Sequence, residues 1–215
     1  MNPFPLILSA PSGGGKTTIA RRLLEQRLDV GYSISCTTRR PRAGEQPGRD
    51  YFFLTPDEFR ARRERGEFAE SAEVHGHWYG TLRREIERVL SQGKHVILDI
   101  DVQGAAQLSR AFPQSVLVFV LPPSADVLLE RLRARKTENH RSLARRMVNA
   151  LEELRRAEEY QYVVVNDDLD RAVARVSAVI DAETSRRERV HNLEDQVQAL
   201  ITRLEQEVET HSSTE

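Results

Sequence analysis

Short apolar blocks alternate with amphipathic stretches along most of this chain. Phe4–Ser9 is a compact apolar run, with Pro5 tolerable near its start, and it predicts a short buried strand. From Thr17 the period lengthens, and Ile19, Ala20, Leu23 and Leu24 share one helical face. Residues 30–36 and 51–54 predict strands. Thr55-Pro56-Asp57-Glu58 predicts a helix start, with Thr55 as N-cap, proline at N1 and Glu58 closing a capping box; this helix ends near Gly66. Another helix is predicted from about Thr81 to Gln92, with Gly93 as its stop. The runs HVILDI from His95 and SVLVFVL from Ser115 lack period-two alternation, as expected of parallel strands covered on both faces. Helices are predicted after each, near 103–112 and 124–134, and a long one over about 142–159. YVVVN at 162–166 predicts one more buried strand, and a helix follows from near Asp168.

Strand and helix in alternation predict an α/β fold, a doubly wound parallel sheet. Residues 37–80 break that rhythm, being polar and turn-rich with short strand-like pieces, and read as an insertion. The tail differs again. Val190, Leu193, Val197, Leu200 and Leu204 follow at spacings of 3, 4, 3 and 4, a heptad seam of about two heptads. Two readings stay open for it: an amphipathic helix folded onto its own domain, or a contact between copies of the chain. The closing THSSTE reads as disordered.

Composition narrows the class. With 39% hydrophobic and 30% charged residues in 215, the chain has a globular balance and enough length for one large domain. A formal net charge of -1 favours neither a general nucleic-acid binder nor an anionic-membrane binder. Cys36 is the single cysteine, which forbids an internal disulfide and fits a reducing compartment. The first eight residues contain no Lys or Arg and lack the parts of a signal peptide, and no apolar run approaches a membrane span. A cytoplasmic protein is expected.

The candidate chemistry begins at SAPSGGGKTT, Ser9–Thr18. A strand, a glycine-rich turn and Lys-Thr opening a helix is the context a phosphate-binding loop requires. Gly13, Gly14 and Gly15 let the backbone approach phosphates and aim N–H groups inward. Lys16 supplies a point charge, and the Thr17 hydroxyl can ligate Mg²⁺. The pattern begins with Gly where this chain has Ala10, and a small residue suffices there. Ala10 to Thr18, including Pro11 and Ser12, is therefore the expected ATP-binding segment. Such a loop pairs with an apolar strand ending in Asp, and VILDID offers Asp99 as a metal ligand, with Asp101 two residues on. On pattern alone the two acids could also cap a strand end; beside the phosphate loop the metal role is preferred for Asp99.

The loop announces a nucleoside triphosphate and leaves the acceptor open. No Asn-Lys-x-Asp stretch is present to read guanine as a GTPase does. SISCTTRRPRAGE, Ser33–Glu45, gathers Arg39, Arg40 and Arg42, whose forks suit phosphate oxygens but whose run could also be a solvated surface. Seven cations between Arg131 and Arg146, with Glu138 the one acid among them, read either as a helix face or as charge for a migrating phosphoryl group. Aromatic residues for stacking on nucleic acid are absent there.

The segments GRDYFF, GEFAESAEVHGHWYGT, ILDIDVQG, RLRARKTE and VVNDDLD, in that order, resemble the guanylate kinases, and the resemblance covers about residues 4–184. It implies transfer of the γ-phosphoryl of ATP to GMP with Mg²⁺. It implies a core of 4–36 and 82–184, a GMP-binding insertion at 37–81, a helical lid over about 124–146, and a separate tail at 185–215. By the resemblance Arg39, Arg42, Tyr51 and Tyr79 hold the GMP phosphate, and Ser35, Glu70, Thr81 and Asp101 face the guanine. Arg131, Arg135 and Arg146 stabilise the migrating group, joining Lys16 and Arg39 as catalytic residues, and Asn166 contacts the ATP side. Guanine presents N1–H and N2–H₂ donors that a carboxylate can accept, whereas adenine would set an acceptor against Glu70; such a site can discriminate by about 10⁴-fold. Taken without the resemblance, Glu70 reads as an ordinary surface acid. The family's lid has Arg-Gly-Thr-Glu where this chain has Arg135-Lys136-Thr137-Glu138, which bears on lid motion and not on the reaction. Another nucleoside monophosphate kinase and a non-catalytic module of the same fold are the alternatives.

Overall fold

The computed structural model describes residues 2–74, 76–134 and 140–212. The chain runs β1 (Pro5–Ser9), α1 (Lys16–Gln26) and β2 (Val30–Tyr32). Then follow β3 (Cys36–Thr37), β4 (Phe52–Phe53), α2 (Pro56–Glu64), β5 (Phe68–Val74) and β6 (His77–Leu82). After α3 (Arg83–Leu90) come β7 (His95–Asp99), α4 (Val102–Ala111), β8 (Val116–Leu121), α5 (Ala125–Arg133) and α6 (His140–Arg155). β9 (Tyr162–Val165), α7 (Leu169–Thr184) and α8 (Leu193–Ser212) complete it.

The central sheet has the order β2-β7-β1-β8-β9, with every pairing parallel. Its strands are buried on both faces, which is why they read as unbroken apolar runs. Leu6 and Leu8 of β1 pack with Ile19 and Leu23 of α1 and with Val173, Val176 and Ile180 of α7. Ile7, between them, points the other way onto Ile86 and Val89 of α3 and Ala105 and Leu108 of α4. The alternation of β1 thus fixes two helical layers at once. The sheet order reverses around β1, and its carboxyl end, with that of β7, opens onto the loops that carry the candidate chemistry.

A second sheet, β4-β3-β6-β5, is antiparallel except for β3 with β4 and reaches one residue beyond each end of the segment 37–81. α2 covers it: the Phe59 and Phe68 rings stack at 4.3 Å, and the Arg63 guanidinium lies 4.5 Å from the Trp78 ring centre. The predicted capping box is present, with Thr55 Oγ1 accepting from the Glu58 N–H and Glu58 accepting from the Thr55 N–H.

Three boundaries differ from expectation. The strand predicted over 30–36 divides, because the chain leaves the parallel sheet after Tyr32 and joins the second sheet at Cys36. The helix predicted from Thr81 begins at Arg83, since Thr81 and Leu82 pair with Glu70 and Phe68. The long helix ends at Arg155 and a 3₁₀ turn occupies Ala157–Glu159.

α5 and α6 pack on each other through Leu128, Leu132, Ala150 and Met147. α8 extends to Ser212, past the point where the sequence reads as disordered. Its apolar seam does not fold back on the domain: Val197, Leu200 and Leu204 are 44%, 66% and 66% exposed. Among the described residues no helix is long and apolar enough to cross a membrane.

Candidate active site

The loop between β1 and α1 is built around what its glycines exclude. Gly13 and Gly15 take φ of 86° and 97°, a region side chains rarely adopt, and Gly15 caps α1. A Cβ on Gly14 would come within 2.7 Å of the Ala10 methyl. A Cβ on Gly15 would strike the Asn166 side-chain amide, which donates to the Gly14 carbonyl at 2.9 Å. Ala10 is fully buried, so the missing first glycine is answered by a methyl packed beneath the loop. The result is a cavity of about 440 Å³ lined by Gly13–Thr18, Arg131 and Asn166. It stands at the N-terminus of an 11-residue helix, whose field favours anions.

Beside it, Thr17 Oγ1 donates to Asp99 at 2.6 Å, and Tyr32 donates its hydroxyl to the other Asp99 oxygen at 2.8 Å. A hydroxyl and an oriented carboxylate side by side suit Mg²⁺, which takes few protein ligands and keeps phosphates and waters for the rest. Tyr32 had no signal in the sequence, which places it inside a longer strand; only the fold sets it against Asp99.

A second cavity, of about 180 Å³, lies between the two sheets. Tyr32, Ser35, Tyr51, Glu70, Tyr79, Asp99 and Asp101 are in its wall, and so is Lys16. Among the described residues Lys16 alone lines both cavities. Glu70 is 6% exposed and accepts from the Thr81 hydroxyl at 2.7 Å. Burial pushes its carboxyl up to about 7, the Thr81 hydroxyl opposes this, and the Asp101 charge adds to it. Asp101 caps α4 by accepting from the Gly104 N–H at 2.7 Å. Gly104 makes room for both acids, since a Cβ there would lie 2.9 Å from Glu70 Oε2 and 3.3 Å from Asp101 Oδ1.

At the rim, Arg39 donates to both Glu45 oxygens at 2.8 and 3.0 Å and to the Tyr79 hydroxyl at 3.2 Å. Its guanidinium lies 5.6 Å from the Tyr51 ring centre, so Arg39, Tyr51 and Tyr79 converge at the rim. Arg42 is exposed, and its backbone N–H donates to Glu45. On the other side, Arg131 donates to the Asn166 carbonyl at 3.3 Å. Arg146 is 7% exposed and reaches the Leu132 carbonyl at 2.9 Å and Ser12 Oγ at 3.3 Å. Arg135 and Lys136 lie outside the described residues.

A glycine cradle at the carboxyl edge of a parallel sheet, joined through one lysine to a second polar cavity, defines a P-loop phosphotransferase acting between two bound ligands. The pattern of the family described as Guanylate kinase matches residues 2–183. The chain is 44% identical over 188 residues to a guanylate kinase of Caldanaerobacter subterraneus subsp. tengcongensis, covering 87% of this chain and 91% of that one. It is 48% identical over 186 residues to one of Myxococcus xanthus, covering 86% and 89%. The crystal structure of guanylate kinase from Anaplasma phagocytophilum superposes with a TM-score of 0.75 at 33% identity, covering 92% of this chain and 94% of that one. This chain belongs to the guanylate kinase family.

The burial of Glu70 has a measurable cost. Its folded pKa stands above the ordinary 4.5, so its contribution to stability is present below about 4.5 and is lost as pH rises through about 7. Glu70→Gln keeps an acceptor for Thr81 and removes the charge. Its melting temperature should exceed that of the unmodified protein at pH 8 by about 2–4 °C or more, the shift that ~1 kcal/mol gives a domain of this size. The difference should shrink toward pH 5; an equal difference at both pH values removes the linkage.

Proposed function

We propose that this chain transfers the γ-phosphoryl group of ATP to GMP, giving ADP and GDP. The observation that carries the reading is Lys16, the residue shared by the phosphate cradle and the second cavity. A cation at that junction stands where a phosphoryl group passes from one nucleotide to the other.

ATP places its phosphates in the cradle of Gly13–Thr18, where the N–H groups of Lys16, Thr17 and Thr18 open α1, with Asn166 at the cavity wall toward the nucleoside. Thr17 and Asp99 hold the Mg²⁺ that, when bound, neutralises phosphate charge. GMP enters the second cavity. Its base meets Ser35, Glu70, Thr81 and Asp101, and its phosphate meets Arg39, Arg42, Tyr51 and Tyr79. The dianionic phosphate displaces Glu45 as the partner of Arg39, a stronger anion replacing a weaker one in the same fork. A GMP phosphate oxygen then forms a bond to the γ-phosphorus as the bond to the bridging oxygen of ADP breaks. That oxygen is already anionic, so no strong general base is required. Lys16, Arg131, Arg135 and Arg146 face the charge spread over the migrating group.

The segment 37–81, which holds most of the second sheet, is the GMP-binding part, and α5 with the start of α6, about 124–146, is the lid. Their closure excludes water and aligns the reacting atoms. A cytoplasmic site of action suits nucleotide substrates. The exposed seam of α8 is assigned to a second copy of the chain, since its apolar positions find no cover on their own domain.

The deciding experiment is an acceptor panel with ATP and Mg²⁺. GMP should be converted to GDP far faster than AMP, CMP or UMP; equal use of AMP would make this another nucleoside monophosphate kinase, and no turnover would leave a binding module. In the same assay Glu70→Gln should raise KM for GMP at least about tenfold and narrow the preference over AMP, because a paired base edge loses its acceptor. Unchanged values for both nucleotides would move base recognition elsewhere. Lys16→Ala should lower kcat by about 10²-fold or more, the scale of losing one aligned charge at a transition state. Near-normal turnover would refute its placement. Ending the chain after residue 189 should reduce the mass seen by sedimentation if α8 joins two copies; an unchanged mass refutes that contact.

A further inference from the structure

We propose that Glu153 is a positioning residue for the transfer step: from α6 it grips Ser12 and so fixes the phosphate loop to the helix that carries Arg146. Glu153 Oε2 accepts the Ser12 backbone N–H at 2.9 Å across 141 residues of sequence. Arg146 reaches the same residue through Ser12 Oγ at 3.3 Å while donating to the Leu132 carbonyl at 2.9 Å. Positions 146 and 153 are two helical turns apart on one face of α6, and both end on Ser12.

The grip lies outside the cradle. The phosphate cavity is lined by Pro11 and Gly13–Thr18 but by neither Ser12 nor Glu153. Ser12 stands at the tip of the turn closed by the Gly14 N–H onto the Pro11 carbonyl at 2.7 Å. Its own N–H is turned from the nucleotide to the helix, so the carboxylate does not compete with phosphate for a donor.

A carboxylate is a costly choice here if packing were its only task. Burial pushes its pKa upward, opposed by the Ser12 N–H and by the charge of Lys16, and Glu152 and Asp101 repel it as well. An acid so close to a polyphosphate site also repels the ligand. What it supplies is a charge-assisted bond, roughly twice as strong as a neutral one. That bond couples two parts that must agree in position, the loop holding the phosphates and the helix carrying Arg146. A mismatch of about 1 Å between such parts costs on the order of 10²-fold in rate.

This proposal rests on the reading of the loop as the ATP phosphate site, and GDP formation by the unmodified chain checks that reading separately. The test compares Glu153→Ala and Glu153→Gln in the full chain, measuring kcat, KM for ATP and GMP, and melting temperature. Glu153→Ala should lower kcat by about ten- to a hundredfold with KM for GMP within about twofold. Glu153→Gln, whose amide oxygen still accepts from Ser12, should recover most of that loss. The proposal is overturned if Glu153→Ala keeps kcat within about threefold, or if kcat and GMP affinity fall together and Gln restores neither. Should the alanine variant fail to fold, Glu153→Asp, one methylene too short to reach Ser12, carries the same test: lower kcat at constant GMP KM supports the grip, and unchanged kcat overturns it.

Discussion

The whole arrangement depends on how closely the chain packs around Gly13–Gly15. Arg131 of α5 would lie 3.4 Å from a Cβ on Gly13, the Ala10 methyl underlies Gly14, and the Asn166 amide fills the place of a Cβ on Gly15. Gly14 and Gly15 are therefore demanded by neighbours, the Ala10 methyl just after β1 and the β9–α7 connection, and Gly13 by its φ of 86°. With the loop held this way, the first N–H groups of α1 stand beside the cavity without helical partners. A loop held this tightly offers an anion its main chain, which carries no information about which base is attached. Selectivity must therefore come from the second cavity, where side chains form the wall.

That cavity runs against ordinary packing logic. Glu70 and Asp101 bring two acids together around Gly104, and Glu70 is nearly devoid of solvent with one hydroxyl as its side-chain partner. Burying such groups without a cation costs stability. The arrangement makes sense as a surface awaiting donors: a ligand edge that presents N–H groups replaces the missing hydrogen bonds, and one that presents an acceptor leaves the cost unrelieved. Discrimination and instability are two faces of one burial.

Much of this was legible before any coordinates, and the limit is physical. The unbroken apolar runs at 95–99 and 116–121 and the capping box at Thr55 depend on neighbours close in sequence, and they were found where expected. The phosphate loop was legible for the same reason, since strand, glycines, Lys16 and helix are contiguous. The acceptor wall joins Ser35, Glu70, Tyr79 and Asp101 from separate elements, so local pattern could not assemble it, and the resemblance supplied the list. Tyr32, Glu45, Gly104 and Glu153 were missed because each acts through one long-range or turn-specific contact, such as Tyr32 on Asp99 across 67 residues. The strand predicted at 30–36 failed where the chain crosses from the central sheet to the second one, a tertiary decision with no local period.

Across the site, charged groups are held by the protein before any ligand arrives. Asp99 is oriented by Thr17 and Tyr32, Arg39 by Glu45 and Tyr79, Asp101 by the start of α4. These partners keep the side chains from wandering, so little rotamer freedom remains to be lost when a nucleotide binds. They also keep each charge from facing a void. Under the proposed function most of them are weaker than what would replace them: a divalent ion for the hydroxyls on Asp99, and a phosphate for the carboxylate on Arg39. Internal pairs of moderate strength thus serve as placeholders, rigid enough to define the geometry and weak enough to be exchanged.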